Sequence, residues 1–267
     1  MTQPGHLEEL VRIVKRSPKY RSVCDEVIRN IGRRELQKGG NLKKAVKATK
    51  NKLHQIAGAF LQTRPSYEAW LEKLRKAKKR GFHDLRLACI EIMRHHHSTR
   101  MRLKNLDGFY RGIFSRLPPV HSIVDIGCGF HPLAIPWMPL SGRVRYYAYD
   151  LYEDLAGFLS EFMKLIDVEG YAEARDVIRN PPEVKVDLAF LLNMIPTLER
   201  IEENASVKLL DAVEAKSIVI SFPVRSLGGK NKGMRGYYRA FFQDLMRKDW
   251  DSWSFETENE MIYVAEK

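Results

Sequence analysis

Cysteine is scarce in this 267-residue chain: three are present, Cys24, Cys89 and Cys128. They are odd in number, widely scattered, and none is spaced as a metal or redox pair. That excludes a disulfide framework, and a reducing compartment, the cytoplasm, is expected. Long apolar runs are missing as well. No stretch approaches the roughly 18 residues that a bilayer-spanning helix needs, so no membrane association is expected. The opening MTQPGHLEEL lacks the apolar core of a secretory signal, and none is expected. Internal repeats and low-complexity tracts are absent too. Acidic residues are thin in the first part of the chain: residues 1–116 hold 10 Asp/Glu against 28 Lys/Arg.

What is present is a globular composition, 44% hydrophobic and 10% aromatic, in a chain long enough to bury a sizeable core. The net charge is +12, but residues 117–267 carry 17 Lys/Arg against 23 Asp/Glu. The split predicts two domains, 1–116 and 117–267, with Pro118-Pro119 at the boundary. A basic domain joined to a mildly acidic one suggests a polyanion partner for the first, and a phosphate backbone is the commonest such polyanion.

The first domain reads as helices. Leu7, Leu10, Val11 and Val14 share a face at helical spacing, as do Val23, Val27 and Ile28. Gly39-Gly40 interrupts the chain. A third helix is expected over 42–60, with Lys43, Lys44 and Lys47 as candidate phosphate contacts. A basic helix follows over 70–80, and one or two helices over 85–114.

Beyond Pro119 the pattern alternates between strands and helices. Strands are expected at 121–127, 144–151, 171–177, 186–193 and 216–222, and helices at 153–167, 197–213 and 236–248. The run at 186–193 is almost wholly apolar, as for a strand buried on both faces. Two last strands, 253–258 and 261–265, read as an antiparallel hairpin. Alternating βα units imply a doubly wound α/β sheet, with ligands bound at the carboxyl ends of its strands.

Those ends carry the chemistry. Asp125-Ile126-Gly127-Cys128-Gly129 closes the first strand, where glycine permits a sharp turn and a close approach to a ligand. A dinucleotide G-x-G-x-x-G is incomplete, because Pro132 stands at its last position. Asp150, 25 residues beyond Asp125, ends the second strand. A carboxylate there can accept from both hydroxyls of an adenosine ribose. Asp176, at the tip of the third, is placed to meet an adenine amino group, next to Val177. Leu192 and Asn193 end the fourth strand, with Asn193 a candidate anchor for a nucleobase. After the fifth strand comes a Gly/Lys-rich loop, 221–234, whose Arg225, Lys230 and Lys232 suit a nucleotide backbone. The run His95-His96-His97 is rejected as a metal site, because adjacent helical residues point in different directions and zinc ligands are spaced.

With these motifs assembled, the chain resembles the aminoglycoside-resistance 16S rRNA (guanine(1405)-N(7))-methyltransferases over nearly its whole length. The specific parts are Pro18-Lys19-Tyr20-Arg21, the stretch from Lys52 through His54 and Gly58 to Phe60, Ser98-Thr99 with Arg102-Leu103, the Asp125–Gly129 turn, Pro196 with Leu198-Glu199-Arg200, and the 221–234 loop. The resemblance implies a class I, Rossmann-like methyltransferase domain, a seven-stranded sheet with an antiparallel last strand, preceded by an α-helical rRNA-docking domain. It implies S-adenosylmethionine as cofactor and the assembled 30S subunit, modified at the aminoacyl-tRNA site of its 16S rRNA, as substrate. Phe60, His96, His97, Ser98, Arg102, Gly127, Asp150, Asp176 and Val177 would line the cofactor, with Arg102 reaching its carboxylate. Glu199 would support the catalytic pocket. The family often has Lys where this chain has Asn193, and Gln where it has Arg175. Guanine N-7 offers a lone pair and has no proton to lose, so no essential general base is expected. The base is expected to leave its stack, with Phe109, Tyr110 and Tyr237 as stacking candidates. The rivals are methylation of another rRNA base, an adenine or an exocyclic amine, and a non-catalytic ribosome-binding role. A monomer is expected.

Overall fold

The computed structural model describes residues 4–39, 41–58, 65–224, 234–246 and 250–266. The chain opens with helices α1 (Pro4–Lys15), α2 (Asp25–Gln37) and α3 (Leu42–Leu53), the last continued by a π-helical turn at His54–Gly58. Then come α4 (Tyr67–Arg80), α5 (Phe82–Met93), α6 (His97–Arg102), a 3-10 turn at Leu103–Asn105 and α7 (Leu106–Phe114). Leu10, Val11 and Val14 of α1 are buried, as their spacing requires. The second helix starts later than the periodicity suggests. Val23 sits outside it, in an isolated antiparallel bridge to Tyr152, and Cys24 N–H donates to Leu151 O. The acidic pair Asp25-Glu26 then fills the first turn of α2, where the helix dipole favours it. Asn41 caps α3 by accepting from Lys44 N–H. The α-helix expected over 42–60 stops at Leu53, and the stretch expected as one or two helices is three, broken around His95-His96 and again at Leu103.

The second part follows as β1 (Ser122–Ile126), a 3-10 segment (His131–Trp137), β2 (Arg145–Asp150), α8 (Glu153–Leu165), β3 (Glu169–Ala174), β4 (Val186–Leu192), α9 (Ile195–Ile201), α10 (Ala205–Ala212), β5 (Ala215–Pro223), α11 (Met234–Leu245), β6 (Asp251–Glu256) and β7 (Glu260–Glu266). The seven strands form one sheet in the order β3-β2-β1-β4-β5-β7-β6. The first five pair in parallel, and β7 runs antiparallel to both β5 and β6. The order reverses at β1, between β2 and β4, which opens a crevice at their carboxyl ends. The expected helix over 197–213 is two helices. Asn204 adopts a left-handed φ of 59° between them, which ends the first helix.

Strand β3 ends three residues before the sequence pattern suggests, so Arg175, Asp176 and Val177 lie in the loop beyond it. The helical part and the sheet share one core: Leu10, Ile92 and Tyr110 belong to the same buried cluster as Tyr146 and Phe190. Among the described residues no helix is long and apolar enough to cross a membrane.

Charged contacts fasten α2 to the loop after α9. Arg34 donates to Ile201 O at 2.9 Å and to the Glu202 carboxylate, which also takes Lys208 Nζ at 2.6 Å and Arg179 at 3.1 Å. Lys208 and Arg34 together hold the Glu202 carboxyl down to about 2, against an ordinary 4.5. A depressed carboxylate contributes stability that is present above its unfolded pKa and is lost as pH falls through the folded one. The protein is therefore expected to lose on the order of 2–3 kcal/mol of stability from this group as pH falls from roughly 5 to 1. Urea melts across that window check it: Glu202→Gln should already be weakened at pH 7, and its difference from the parent should shrink as pH falls through about 2 and vanish below it, near pH 1. A gap that persists undiminished to about pH 1 contradicts the assignment.

Candidate active site

The crevice is a cleft of ≈ 980 Å³, counted out to its open mouth. Its floor is the turn after β1. Gly127 has φ +66° and Gly129 φ +50°, the left-handed region that favours glycine. Space requires glycine too. A Cβ on Gly127 would lie 2.3 Å from Met194 Sδ, and one on Gly129 2.8 Å from the His96 ring. The next segment, beginning at His131-Pro132, is 3-10 rather than α-helix. The turn therefore does not aim an α-helix N-terminus into the cleft, as a pyrophosphate site would.

Asp150, the last residue of β2, is oriented by backbone donors. Gly129 N–H reaches Oδ2 at 2.9 Å and Leu151 N–H reaches Oδ1 at 2.7 Å. Burial raises its carboxyl pKa, and those same bonds oppose the rise. Asp176 receives Ile178 N–H at 3.2 Å on Oδ1 and Asn30 Nδ2 at 2.8 Å on Oδ2. His96 stands in extended backbone before α6, its ring 5.4 Å from that of Phe130 and its Nδ1 3.1 Å from Ser98 Oγ. Burial, reinforced by Arg102, lowers the His96 pKa to about 3, so this ring is a neutral imidazole at pH 7.

The cleft brings together His96, Ser98, Gly127, Gly129, Asp150, Asp176, Val177, Leu192 and Asn193. Other expected residues lie elsewhere. Asp125 sits beneath the glycine turn, 2.8 Å from both Tyr146 OH and His131 Nδ1. His97 is off the cleft lining, its Nδ1 3.5 Å from Arg100. Arg102 does not reach into the cleft: its guanidinium is buried and held bidentately by Glu260, at 2.6 and 2.7 Å. Glu199 turns the other way and accepts from the backbone of Asn204 and Ser206, both at 2.9 Å, at the start of α10. Phe109 and Tyr110 cannot stack on a base, because each is 1% exposed. They form the apolar face of α7 under the sheet, with Tyr110 stacked on His131. Tyr237 is exposed. Phe60, Arg225, Lys230 and Lys232 lie outside the described residues.

Asn193 has φ +56° at the end of β4. Its N–H bonds Ser221 O at 3.1 Å, and its Nδ2 donates to Glu260 Oε1 at 2.5 Å. Its Oδ1 is enclosed without a partner among the described residues. Arg175 also lines the cleft, clamped by Glu173 at 2.9 Å with its guanidinium 5.0 Å from the Tyr149 ring centre.

Sequence reasoning missed the contribution of the first helices. Val27, Asn30 and Ile31 of α2 and Ile56 all line the cleft. The signal was a polar residue, Asn30, inside the otherwise apolar stripe Val27–Ile31. The two basic helices also differ. On α4, Lys73 pairs with Glu91, Lys76 with Glu72, Lys78 with Asp167 and Arg80 with Asp84. On α3, Lys43, Lys44 and Lys47 are exposed and have no acidic partner among the described residues. A run of basic residues is thus partly a structural feature, and among the described residues Lys43, Lys44 and Lys47 of α3 form an exposed cluster without acidic partners that can meet phosphates.

Known proteins share this architecture. The FmrO family of ribosomal RNA methyltransferases matches residues 16–264. The 16S rRNA (guanine(1405)-N(7))-methyltransferase of Micromonospora echinospora is 33% identical over 265 residues, covering 98% of this chain and 97% of the relative. The solved structure of the 16S rRNA methylase RmtB superposes with a TM-score of 0.81 at 25% identity, covering 99% of this chain and 100% of the other. That of the 16S rRNA methyltransferase RmtF in complex with S-adenosyl-L-homocysteine gives 0.84 at 24% identity, over 100% of both chains. The match spans the glycine turn and the acids that converge on the cleft, and this chain belongs to the ribosomal RNA methyltransferase (FmrO) family.

Proposed function

We propose that this protein methylates N-7 of a guanine in the aminoacyl-tRNA site of 16S rRNA, on the assembled 30S subunit, and so confers resistance to aminoglycosides. The observation that carries the reading is the convergence of Gly127, Gly129, Asp150 and Asp176 on one cleft, in a chain whose relatives carry that activity along their full length.

The lining fits S-adenosylmethionine. Asp150 offers a carboxylate already fixed by two backbone donors, with lone pairs left for two ribose hydroxyls. Asp176 and Asn30 face the adenine end, and Val177, Leu192, His96 and Ser98 complete the wall. When bound, the cofactor supplies an activated sulfonium methyl. The chain's part is to align donor and acceptor and to exclude water. Since guanine N-7 gives up no proton, the neutral imidazole of His96 serves as wall rather than base. Arg102, Glu260 and Asn193 act together by fixing the turn at the end of β4, which forms the cleft edge beside Leu192 and Met194. Residues 1–116 form the rRNA-docking domain, and 117–267 the cofactor-binding one, in a monomeric cytoplasmic enzyme.

The test is methyl transfer from labelled S-adenosylmethionine to unmethylated 30S subunits, with naked 16S rRNA beside them and reductive cleavage at 7-methylguanosine to map the product. Labelled subunits cleaved at a single aminoacyl-site guanine are expected. Label without cleavage moves the target to another atom or base. Cofactor binding with no transfer to either substrate leaves a non-catalytic ribosome-binding protein.

The docking surface carries its own expectation. Each phosphate contact removed lowers the slope of log K against log salt by about 1. Changing Lys43, Lys44 and Lys47 together to Gln should flatten the slope for 30S binding by about 2–3 and weaken binding by roughly 10–100-fold at low salt. Affinity for S-adenosylhomocysteine should not move. An unchanged salt slope removes α3 from the docking surface.

A further inference from the structure

We propose that Asn30, on a helix of the N-terminal part, selects the adenine base of the cofactor. The proposal rests on the cleft being a cofactor site.

The argument starts from the face of α2. Val27, Asn30, Ile31 and Arg34 recur at helical spacing and so lie on one stripe. The first three line the cleft, and Arg34 fastens the same stripe to Ile201 and Glu202. In an apolar stripe Asn30 is costly unless its polar atoms are used. One of them is. Its amide nitrogen donates to Asp176 Oδ2 at 2.8 Å, and the residue is buried.

That bond decides which way the amide points. A carboxylate can only accept, so the atom that faces it must be the NH2. Asp176 is itself fixed, because the backbone N–H groups of Ile178 and Arg179 both point at its Oδ1. The order therefore runs from backbone to Asp176 to Asn30, and it leaves Asn30 Oδ1 without a partner among the described residues, on a residue that lines the cleft. Asp176 Oδ2 keeps a second lone pair beside it. Two acceptor oxygens at one place match a group that carries two hydrogens on one nitrogen. The exocyclic amine of adenine is such a group. A 6-oxo base would bring an acceptor against two acceptors.

Asn30 thus gives the N-terminal helices a second task. They dock rRNA through the outer face of α3 and read the cofactor's base through the inner face of α2.

Calorimetry with the full chain tests this, using S-adenosylhomocysteine and its 6-oxo analogue, S-inosylhomocysteine. The parent should prefer the adenine ligand by at least about 100-fold, since a site built to meet an N–H group rejects the analogue that lacks it. Asn30→Leu keeps the size of the side chain and removes the acceptor. It should weaken S-adenosylhomocysteine by about 10-fold or more while leaving the 6-oxo analogue nearly unchanged, so the preference collapses. Arg34→Ala loosens the same helix without touching the base, and should keep the parent's preference even if both affinities drop. If Asn30→Leu weakens the two ligands in parallel, Asn30 only packs the helix and the proposal fails. It also fails if the parent binds both ligands alike. A parent that binds neither ligand overturns the cofactor reading itself, and this inference with it.

Discussion

Asp150→Asn should bind S-adenosylhomocysteine at least about 100-fold more weakly than the parent. Its two carboxylate oxygens each take one backbone N–H, from Gly129 and Leu151, and each keeps a free lone pair. Two ribose hydroxyls on those lone pairs make charge-assisted bonds worth ~1.5–3 kcal/mol apiece. The amide leaves a single accepting oxygen. Its NH2 meets a backbone donor in place of a bond, so both the anchor and the turn that positions it are compromised. Losing ~3–4 kcal/mol is a factor of roughly 100–1000 in affinity. Calorimetry measures it, with a thermal melt beside it to confirm that the variant is folded. A folded Asp150→Asn that binds within about threefold of the parent would show that the acid at the β2 tip does not hold the ribose.

Why Asp150 could be found from sequence is clear from what surrounds it. The strand before it is a local run of β-formers, and the turn it grips uses glycines whose φ of +66° and +50° other residues seldom adopt. Both signals are local. The parallel order of β1 to β5 and the antiparallel β7 were legible for the same reason, since a nearly pure apolar run such as β4 has few places to go. Asp176 was found at its position but given the wrong element: pairing with β2 ends at Ala174, and the loop beyond is held by the carboxylate itself.

What was not legible depends on partners far away in the chain. Asn30 meets Asp176 across 146 residues, and Arg102 meets Glu260 across 158. Nothing in the local sequence around Arg102 distinguishes a cofactor-binding arginine from one neutralised inside the fold. The same holds for Phe109 and Tyr110. Their spacing marks an apolar helix face, but only the packed structure puts that face under the sheet. Glu199 followed the resemblance into the catalytic pocket, whereas its carboxylate is used at the first turn of α10, where a helix offers unpaired N–H groups.

Glu260 carries the heaviest structural load near the site, and Glu260→Gln should be the most destabilising of these changes. Its carboxylate accepts from Arg102 Nε at 2.6 Å, Arg102 NH2 at 2.7 Å, Asn193 Nδ2 at 2.5 Å and Ser221 Oγ at 3.1 Å. Arg102 and Glu260 side chains are each 3% exposed, so the guanidinium has no water to fall back on. The glutamine amide must turn its NH2 toward a donor, and it leaves the buried cation unpaired. Breaking such a pair from one side costs ~3–5 kcal/mol. In a chain of this size that is a fall in Tm of roughly 10 °C. The double change Arg102→Met with Glu260→Leu removes both charges, so it should lose less than the single one, even though it alters more atoms. That ordering separates a buried charge from mere packing, for which the double would be the worse. The damage should also reach the cleft. Asn193 keeps its left-handed turn through Ser221 and Glu260 together, and once the second hold is gone the wall formed by Leu192 and Met194 loses its support. Weaker S-adenosylhomocysteine binding is therefore expected in Glu260→Gln at temperatures well below its melt. If stability drops while affinity stays at the parent's level, the network holds the fold alone and Asn193 is not positioned by it.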